Sequence, residues 1–400
     1  MSATGDHNGR LSGMSDRTAA LAAERKSYAP LGGMPRVLGW GTALPPYRYA
    51  QEEIAAWLAS SLDARRARRL KAAFRGSGIQ SRCGCLPDFS QECREPRVFR
   101  GPSPSTGARL AAYREHAPDL ACEAARRALE AARIPASRVT HLFVSTCTGF
   151  VAPGPDQDIV ERLGLLPSVR RVLFGFQGCS AGVAALRTAA EIARGDPAAI
   201  LLVVAVELSS LHFQPSVPDE DLRGHTLFAD GAGAAVVAGA AIPSTNGASP
   251  DGAHREVILE RGCSRLVLNT RDHMTWTVGD HGFLMRLSAD VPETLGNLLP
   301  DFLHELRGFH DAPDLREESN ELWAVHPGGP AILDRIESSL ALAAADLDSA
   351  RTVLRRNGNM SSATIFFVFE ELLRTERRGA GNALAFGPGL TIEGLRFHVA

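Results

Sequence analysis

Phe174-Gly175-Phe176-Gln177-Gly178-Cys179-Ser180-Ala181-Gly182, with the run that continues to residue 194, is the stretch on which the fold is read. Val183, Leu186, Ala190 and Ala193 recur at the spacing of one helical face, and Gly195-Asp196-Pro197 ends the helix. Residues 141–145 before it and 198–206 after it are short apolar runs of the kind a buried strand needs. Strand, helix and strand in this order make an α/β unit. Cys179 stands at the helix start, where the positive end of the dipole and free N–H groups favour a thiolate. From position alone, a nucleophile and an inert buried thiol are both open. Residues 178–182 also spell G-x-S-x-G, which offers Ser180 as a rival hydrolase nucleophile.

Outward from this unit, strand-like and helix-like segments alternate from Pro35 to the end of the chain. Residues 322–325 predict a strand, Pro330 opens a helix with Ile332, Ile336 and Leu340 on one face, and residues 382–386 predict a further strand before the alternation of 390–399. Two halves of like kind, 35–242 and 254–400, suggest an internal duplication, although no repeat of letters establishes it. The polar stretch 243–254, rich in Gly, Ser, Asn and Asp, is the expected join. Residues 1–33 have no sustained period and are expected to be a mobile extension, with Met34 as a possible ancestral start.

At 400 residues the chain exceeds one ordinary core. Its formal net charge of -2 gives no overall attraction for nucleic acid or an anionic membrane, so an anionic ligand must meet a local patch. The longest apolar run falls far short of the roughly 18 residues of a membrane span, and no signal-peptide stretch opens the chain. A cytoplasmic location is expected. The cysteine count of 7, odd and scattered, reads as reduced thiols. Cys83, Cys85 and Cys93 lack a second CxxC and a close histidine, so no metal is expected.

His326 ends a strand before Pro327-Gly328-Gly329-Pro330, and it reads either as a structural hydrogen-bonder or as a reactive group. Asn359, in Gly358-Asn359-Met360-Ser361-Ser362, reads either as a cap of the next helix or as a donor. Gly178-Cys179-Ser180-Ala181-Gly182, Val325-His326-Pro327-Gly328-Gly329-Pro330, Gly358-Asn359-Met360-Ser361-Ser362-Ala363 and Phe386-Gly387-Pro388-Gly389 together resemble the four signatures of type III polyketide synthases, the chalcone and stilbene synthase family. The resemblance covers residues 35–400 and extends to Leu227-Phe228-Ala229-Asp230-Gly231-Ala232 and Asp290-Val291-Pro292. It implies an α/β thiolase fold, duplicated and five-layered α-β-α-β-α, in a homodimer without metal or bound redox cofactor. Malonyl-coenzyme A and an acyl-coenzyme A starter are the implied substrates. The family triad falls on Cys179, His326 and Asn359. A thiolate paired with imidazolium would take the acyl group, and His326 with Asn359 would hold the enolate left when malonyl loses carbon dioxide.

The cavity expected from the resemblance departs from the plant pattern. Phe228 matches one gating phenylalanine, but Met285 replaces the other, either to loosen the gate or as a packing substitution. Trp276 stands in place of a cavity glycine, Cys147 and His212 in place of lining threonines, and Ala152 in place of a methionine that crosses the dimer. Cys147, as in bacterial tetrahydroxynaphthalene synthases, reads as reactive or as inert lining. Ser361 and Pro388, inside their motifs, complete the wall. Arg69, Lys71 and Arg75, in a basic run that otherwise reads as a solvated helix face, are candidates for coenzyme A phosphates. Met285 and Ala152 favour a medium or long fatty acyl starter and an alkylresorcinol or alkyl-α-pyrone product. The alternatives are a tetrahydroxynaphthalene synthase using malonyl-coenzyme A only, a type III ketoacyl-carrier-protein synthase, and an inactive thiolase-fold scaffold.

Overall fold

The computed structural model describes residues 33–90, 92–100, 103–214, 222–243, 255–308 and 321–400. The expected mobile extension, apart from residue 33, and the expected join beyond residue 243 lie outside the described residues. Nine strands form one sheet in the order β11-β12-β13-β8-β1-β7-β6-β4-β5. The first half supplies β1 (Arg36–Ala43), β4 (His141–Thr146), β5 (Arg170–Gly175), β6 (Ile200–Leu208) and β7 (Asp230–Ala238). The second half supplies β8 (Val257–Leu266), β11 (Leu322–Val325), β12 (Gly379–Gly387) and β13 (Thr391–Val399). Apart from this sheet stand two antiparallel pairs, β2 (Tyr47–Ala50) with β3 (Ser81–Gly84) and β9 (Met274–Gly279) with β10 (Gly282–Leu287).

The duplication that the letters conceal is plain in the pairing. β4 is parallel to β6, β6 antiparallel to β7, and β7 antiparallel to β1. In the same sense β11 is parallel to β12, β12 antiparallel to β13, and β13 antiparallel to β8. Edge strand β5 has no counterpart among the described residues of the second half. Between β1 and β8 only Arg36 with Ile258 and Val37 with Val257 are in register, so the halves join through a narrow seam.

The layers follow from which side chains each strand turns outward. Gly39 and Gly41 of β1 face α3 (Thr106–Ala132), whose backbone at Ala124, Ala128 and Ala132 occupies the space a Cβ would need. Trp40, between them, points the other way and stacks on Phe369 of α10 (Thr364–Leu373) at 4.5 Å. Phe369 in turn meets Phe397 of β13 at 5.1 Å, so α10 lies between the two half-sheets. α5 (Ala181–Gly195), the helix read from the opening stretch, lies beside it and packs on strands of both halves. α7 (Val291–Arg307), with Phe302 against Gly394, and α8 (Pro330–Ser339) form the opposite outer layer. The order is α-β-α-β-α, as expected.

The remaining helices serve the rim. α1 (Gln51–Ala59) and α2 (Ala64–Gly76) pack on each other, α4 (Pro155–Leu163) packs on α3, α6 (Leu222–His225) precedes β7, and α9 (Asp348–Asn357) precedes α10. The two middle helices approach at Gly182, where the Ser362 carbonyl and Ile365 leave no room for a side chain. Two helix starts, one from each half, therefore meet at the centre of the molecule.

Candidate active site

Cys179 sits in the 3-10 turn Gly178–Ser180 that leads into α5, and Ser361 begins the matching turn Ser361–Ala363 before α10. The Cys179 thiol lies 3.9 Å from Asn359 Oδ1 and 3.7 Å from Ser361 Oγ. Asn359 is fixed in a definite sense. Its Oδ1 accepts from the Ser361 backbone N–H at 2.8 Å, and its Nδ2 donates to the Gly328 carbonyl at 3.4 Å and lies 4.0 Å from Cys179 Sγ. The two sequence readings of Asn359 are thus compatible, since its oxygen holds the turn while both ends of the amide stand within 4.0 Å of the thiol.

His326 leaves β11 with its backbone N–H donated to Leu384 O at 2.8 Å, and Gly328 N returns to its carbonyl at 3.0 Å. The imidazole is buried, and among the described residues neither Nδ1 nor Nε2 has a hydrogen-bond partner. A buried polar group without a partner is costly, so a ring kept in this state is suited to a ligand that brings its own acceptor. Gly328 touches both neighbours, giving its carbonyl to Asn359 and its α-carbon face to the His326 ring.

Burial governs the charges here. It pushes the Cys179 thiol up to about 12, against hydrogen bonds from Ser361 and Asn359 that act in the other direction. It pushes His326 down to about 3. The lowered thiol pKa expected from the helix start is therefore not the resting condition. Desolvation outweighs the helix end, and burial favours neutral thiol and neutral imidazole.

Glu207 is the group that sequence reading missed. It is fully buried at the end of β6, where Cys147 N and Thr148 Oγ1 donate to Oε2 at 2.9 and 2.8 Å and Ser362 Oγ donates to Oε1 at 2.5 Å. Its signal was present as the single carboxylate in the otherwise apolar run Ile200–Leu208. Burial raises its carboxyl to about 7 despite these donors. A raised carboxyl pKa makes the fold bind a proton more tightly than the unfolded chain, so the stability it contributes is present at low pH and lost as pH rises through 7. Between about pH 5 and about pH 8 the parent should lose on the order of 3 kcal/mol relative to Glu207→Gln. Denaturant unfolding at a series of pH values measures this, and parallel profiles for the two proteins would remove the carboxyl from the account.

Cys147, Phe228, Trp276, Met285, Ser361 and Pro388 all line one enclosed cavity with Cys179, of about 20 Å³, joined by Thr148, Gly178, Ser209 and Met274. Trp276 forms part of its wall. Its Nε1 donates to Cys147 O at 2.6 Å, and its ring meets Phe283 at 5.8 Å and Phe228 at 6.4 Å. Phe228 and Met285 come together over Gly224. Cys147 Sγ accepts from Gly178 N at 3.0 Å, while burial and Glu207 hold its pKa well above the ordinary thiol value. Ala152, expected at the wall of the partner's cavity, is exposed on the surface loop ahead of α4. One expected lining residue lies elsewhere. His212 stands one layer back, donating from Nε2 to Thr148 O at 2.7 Å, accepting at Nδ1 from Phe283 N at 3.1 Å and meeting Trp276 edge-on. The rival Ser180 donates to Gln177 O at 2.8 Å and does not line the cavity.

A larger chamber of about 450 Å³ opens on the other side of Leu227 and Gly328, and α2 borders it through Ala73 and Gly76. Arg69, Lys71 and Arg75 are exposed on that helix and are not among the residues of the chamber wall. Among the described residues no group of three metal-ligating side chains draws together, and no helix is long and apolar enough to cross a membrane.

The sequence matches the N-terminal domain of chalcone and stilbene synthases over residues 24–241 and the C-terminal domain over residues 259–400. It is 33% identical to bisdemethoxycurcumin synthase of Oryza sativa subsp. japonica over 385 residues, covering 92% of each protein. It is 34% identical to the alpha-pyrone synthesis polyketide synthase-like Pks18 of Mycobacterium tuberculosis over 306 residues, 76% of each. The structure superposes on PKS-I of the brown alga Ectocarpus siliculosus with a TM-score of 0.83 at 27% identity, covering 92% of this chain and 98% of that one. The type III domain of Steely1, a type I/III hybrid from Dictyostelium, gives 0.82 at 27% identity, covering 92% and 99%. Their shared architecture is the thiolase fold, and this chain belongs to the chalcone and stilbene synthase family, the type III polyketide synthases, acyltransferase-type enzymes that condense malonyl-coenzyme A.

Proposed function

We propose that Cys179 carries the growing acyl chain while Asn359 and His326 hold the enolate of the extender unit. The observation that carries this reading is the amide of Asn359 at the thiol, its Oδ1 held by Ser361 N at 2.8 Å and its Nδ2 4.0 Å from Cys179 Sγ. The thiol proton passes to His326 as the starter binds, and the sulfur displaces coenzyme A from the acyl carbonyl. Coenzyme A leaves with the proton. Malonyl-coenzyme A then loses carbon dioxide, and the bonding electrons move onto the thioester oxygen as an enolate held by Asn359 Nδ2–H and His326 Nε2–H. The enolate carbon attacks the Cys179 thioester, sulfur leaves as thiolate, and the lengthened chain returns to Cys179 for another round. No separate base is needed, because decarboxylation itself makes the carbanion.

The size of the product is the finer part of the proposal. A cavity of about 20 Å³ admits little more than a water-sized group, so it supports a short starter and few extensions closing to an α-pyrone. This departs from the medium or long acyl starter expected from Met285 and Ala152, since the indole of Trp276 stands in the wall of this cavity against Cys147 O. The longer starter and the resorcinol product remain the second reading, favoured by the flexible Met285 at the gate. Incubation with malonyl-coenzyme A and a panel of acyl-coenzyme A starters, read by mass spectrometry, decides between them. Trp276→Gly should shift the products by at least one malonyl unit or toward longer starters while carbon dioxide release persists. An unchanged product profile would show that this indole does not limit the chain.

Several further assignments belong to the same proposal. By helical period Arg69 shares the flank of Ala73 and Gly76, which line the outer chamber, whereas Lys71 and Arg75 lie further round the helix. Arg69 is thus the best placed of the three for a coenzyme A phosphate. A homodimer is supported by edge strand β5, which exposes Val172 and Leu173 beside Phe150. The free cysteines support a reducing, cytoplasmic setting. The chain divides at 35–242 and 254–400, each half contributing one helix start to the site.

A further inference from the structure

Arg82 of β3 is, with Arg109, one of two arginines fully buried among the described residues, and its surroundings are unusual. The side chain is 1% exposed and lies between the rings of Phe74 and Phe213, with the guanidinium carbon 5.2 and 5.5 Å from their centres. Nη1 donates to two carbonyls, His225 O at 2.9 Å and Phe228 O at 2.5 Å. Among the described residues Nε and Nη2 have no hydrogen-bond partner. The nearest carboxylate to influence it, Asp230, is occupied by Cys85 N, Ser210 N and Ser210 Oγ. A buried charge so poorly compensated is not explained by stability, because apolar residues of similar volume commonly serve as well.

The two carbonyls belong to one turn, residues 225–228, which places Leu227 in the outer chamber and Phe228 in the inner cavity. The same turn is stitched to the catalytic asparagine, since Asn359 N donates to Leu227 O and Ala229 N donates to Asn359 O, both at 2.9 Å. Arg82 also presses on this second strand. Gly358, with φ of +73°, leaves room for it, and a Cβ there would lie 2.9 Å from Arg82 Cγ and Cδ. One side chain therefore touches both the turn that bears the gate and the residue that precedes the amide donor.

We propose that Arg82 is a positioning residue that fixes the turn at residues 225–228 against Gly358 and Asn359, and so sets the placement of the enolate donor and of the Phe228 gate together. The inference rests on the function proposed above. Misplacement of a donor by about an ångström costs on the order of 10²-fold in rate, whereas acyl transfer to Cys179 does not need the donor in the same place. Arg82→Met keeps the buried volume and removes both hydrogen bonds. It should lower malonyl decarboxylation by about tenfold or more, leave acylation of Cys179 by a starter within about twofold, and change the ratio of products. Arg82→Lys should recover part of the decarboxylation.

Three measurements are made side by side on parent and variants: acylation by intact-protein mass spectrometry, carbon dioxide release, and product ratio. If the parent neither acylates at Cys179 nor releases carbon dioxide, the functional reading fails, and this inference with it. If the parent does both and the Arg82→Met protein matches it in decarboxylation and products, or loses acylation and decarboxylation in equal measure, the inference alone is overturned. Should Arg82→Met prove insoluble, the same ratio is read on Arg82→Lys and on Gly358→Ala, which displaces the guanidinium without removing it. Parent ratios in both would overturn the inference equally.

Discussion

Cys179→Ala should abolish polyketide formation and all covalent attachment of starter, with the fold unchanged. The fold should persist because Sγ makes only long contacts, of 3.7 to 4.0 Å, so its loss breaks no strong hydrogen bond. The chemistry should stop because no neighbouring nucleophile is ready to replace it. Cys147 lies in the same cavity, but its thiol is held protonated by burial and the Glu207 charge, and Ser180 gives its proton to a backbone carbonyl. Release of carbon dioxide from malonyl-coenzyme A should survive at a measurable level, since the donors on Asn359 and His326 remain. Peptide mapping of protein treated with labelled starter provides the check. Label on Cys147 or Ser180 in the variant would show that the nucleophile had been misassigned.

Asn359→Ala should reduce malonyl decarboxylation by roughly 10²-fold or more, the scale of a lost oxyanion donor, while starter still loads on Cys179. Alanine also removes the cap on Ser361 N, so a collapse of the turn could imitate the effect. Asn359→Asp separates the two. An aspartate keeps an oxygen for Ser361 N but offers no N–H to the enolate and adds a charge beside it, so it should fall at least as far as alanine. His326→Ala should impair loading as well, because the proton leaving Cys179 has no other unengaged acceptor among the ring nitrogens at the site. Undiminished carbon dioxide release in Asn359→Asp would remove the amide from the mechanism.

Much of the site was legible because its residues sit at the ends of strongly patterned elements. The strand, turn and helix around Cys179, the strand before His326 and the turn carrying Asn359 could each be placed from spacing, and the structure sets Cys179 and Asn359 in contact with His326 one glycine away. What spacing could not show was burial. The helix start alone suggests a lowered thiol pKa, but the desolvation that reverses it comes from the second half of the chain closing over the first. Arg82 was illegible for the same reason, and Glu207, visible as a lone carboxylate in an apolar strand, could not be joined to Ser362, a partner distant in sequence. His212 was assigned to the wall by alignment, which carries position but not the direction of a side chain. The duplication itself was invisible in letters and evident in strand order, because a half-sheet requires an apolar pattern and not particular residues.

The seam between the halves also bears on how such a chain is made. Cys179 and Asn359 are 180 positions apart, and the half-sheets hold to each other at only two residue pairs of β1 and β8. During synthesis the N-terminal half emerges with its thiol complete before the histidine and asparagine have been translated. An unfinished chain thus has a cysteine but no proton acceptor and no enolate donor beside it. Recovery of activity after denaturation should accordingly trail the recovery of secondary structure, since the last event is the docking of one finished half upon the other.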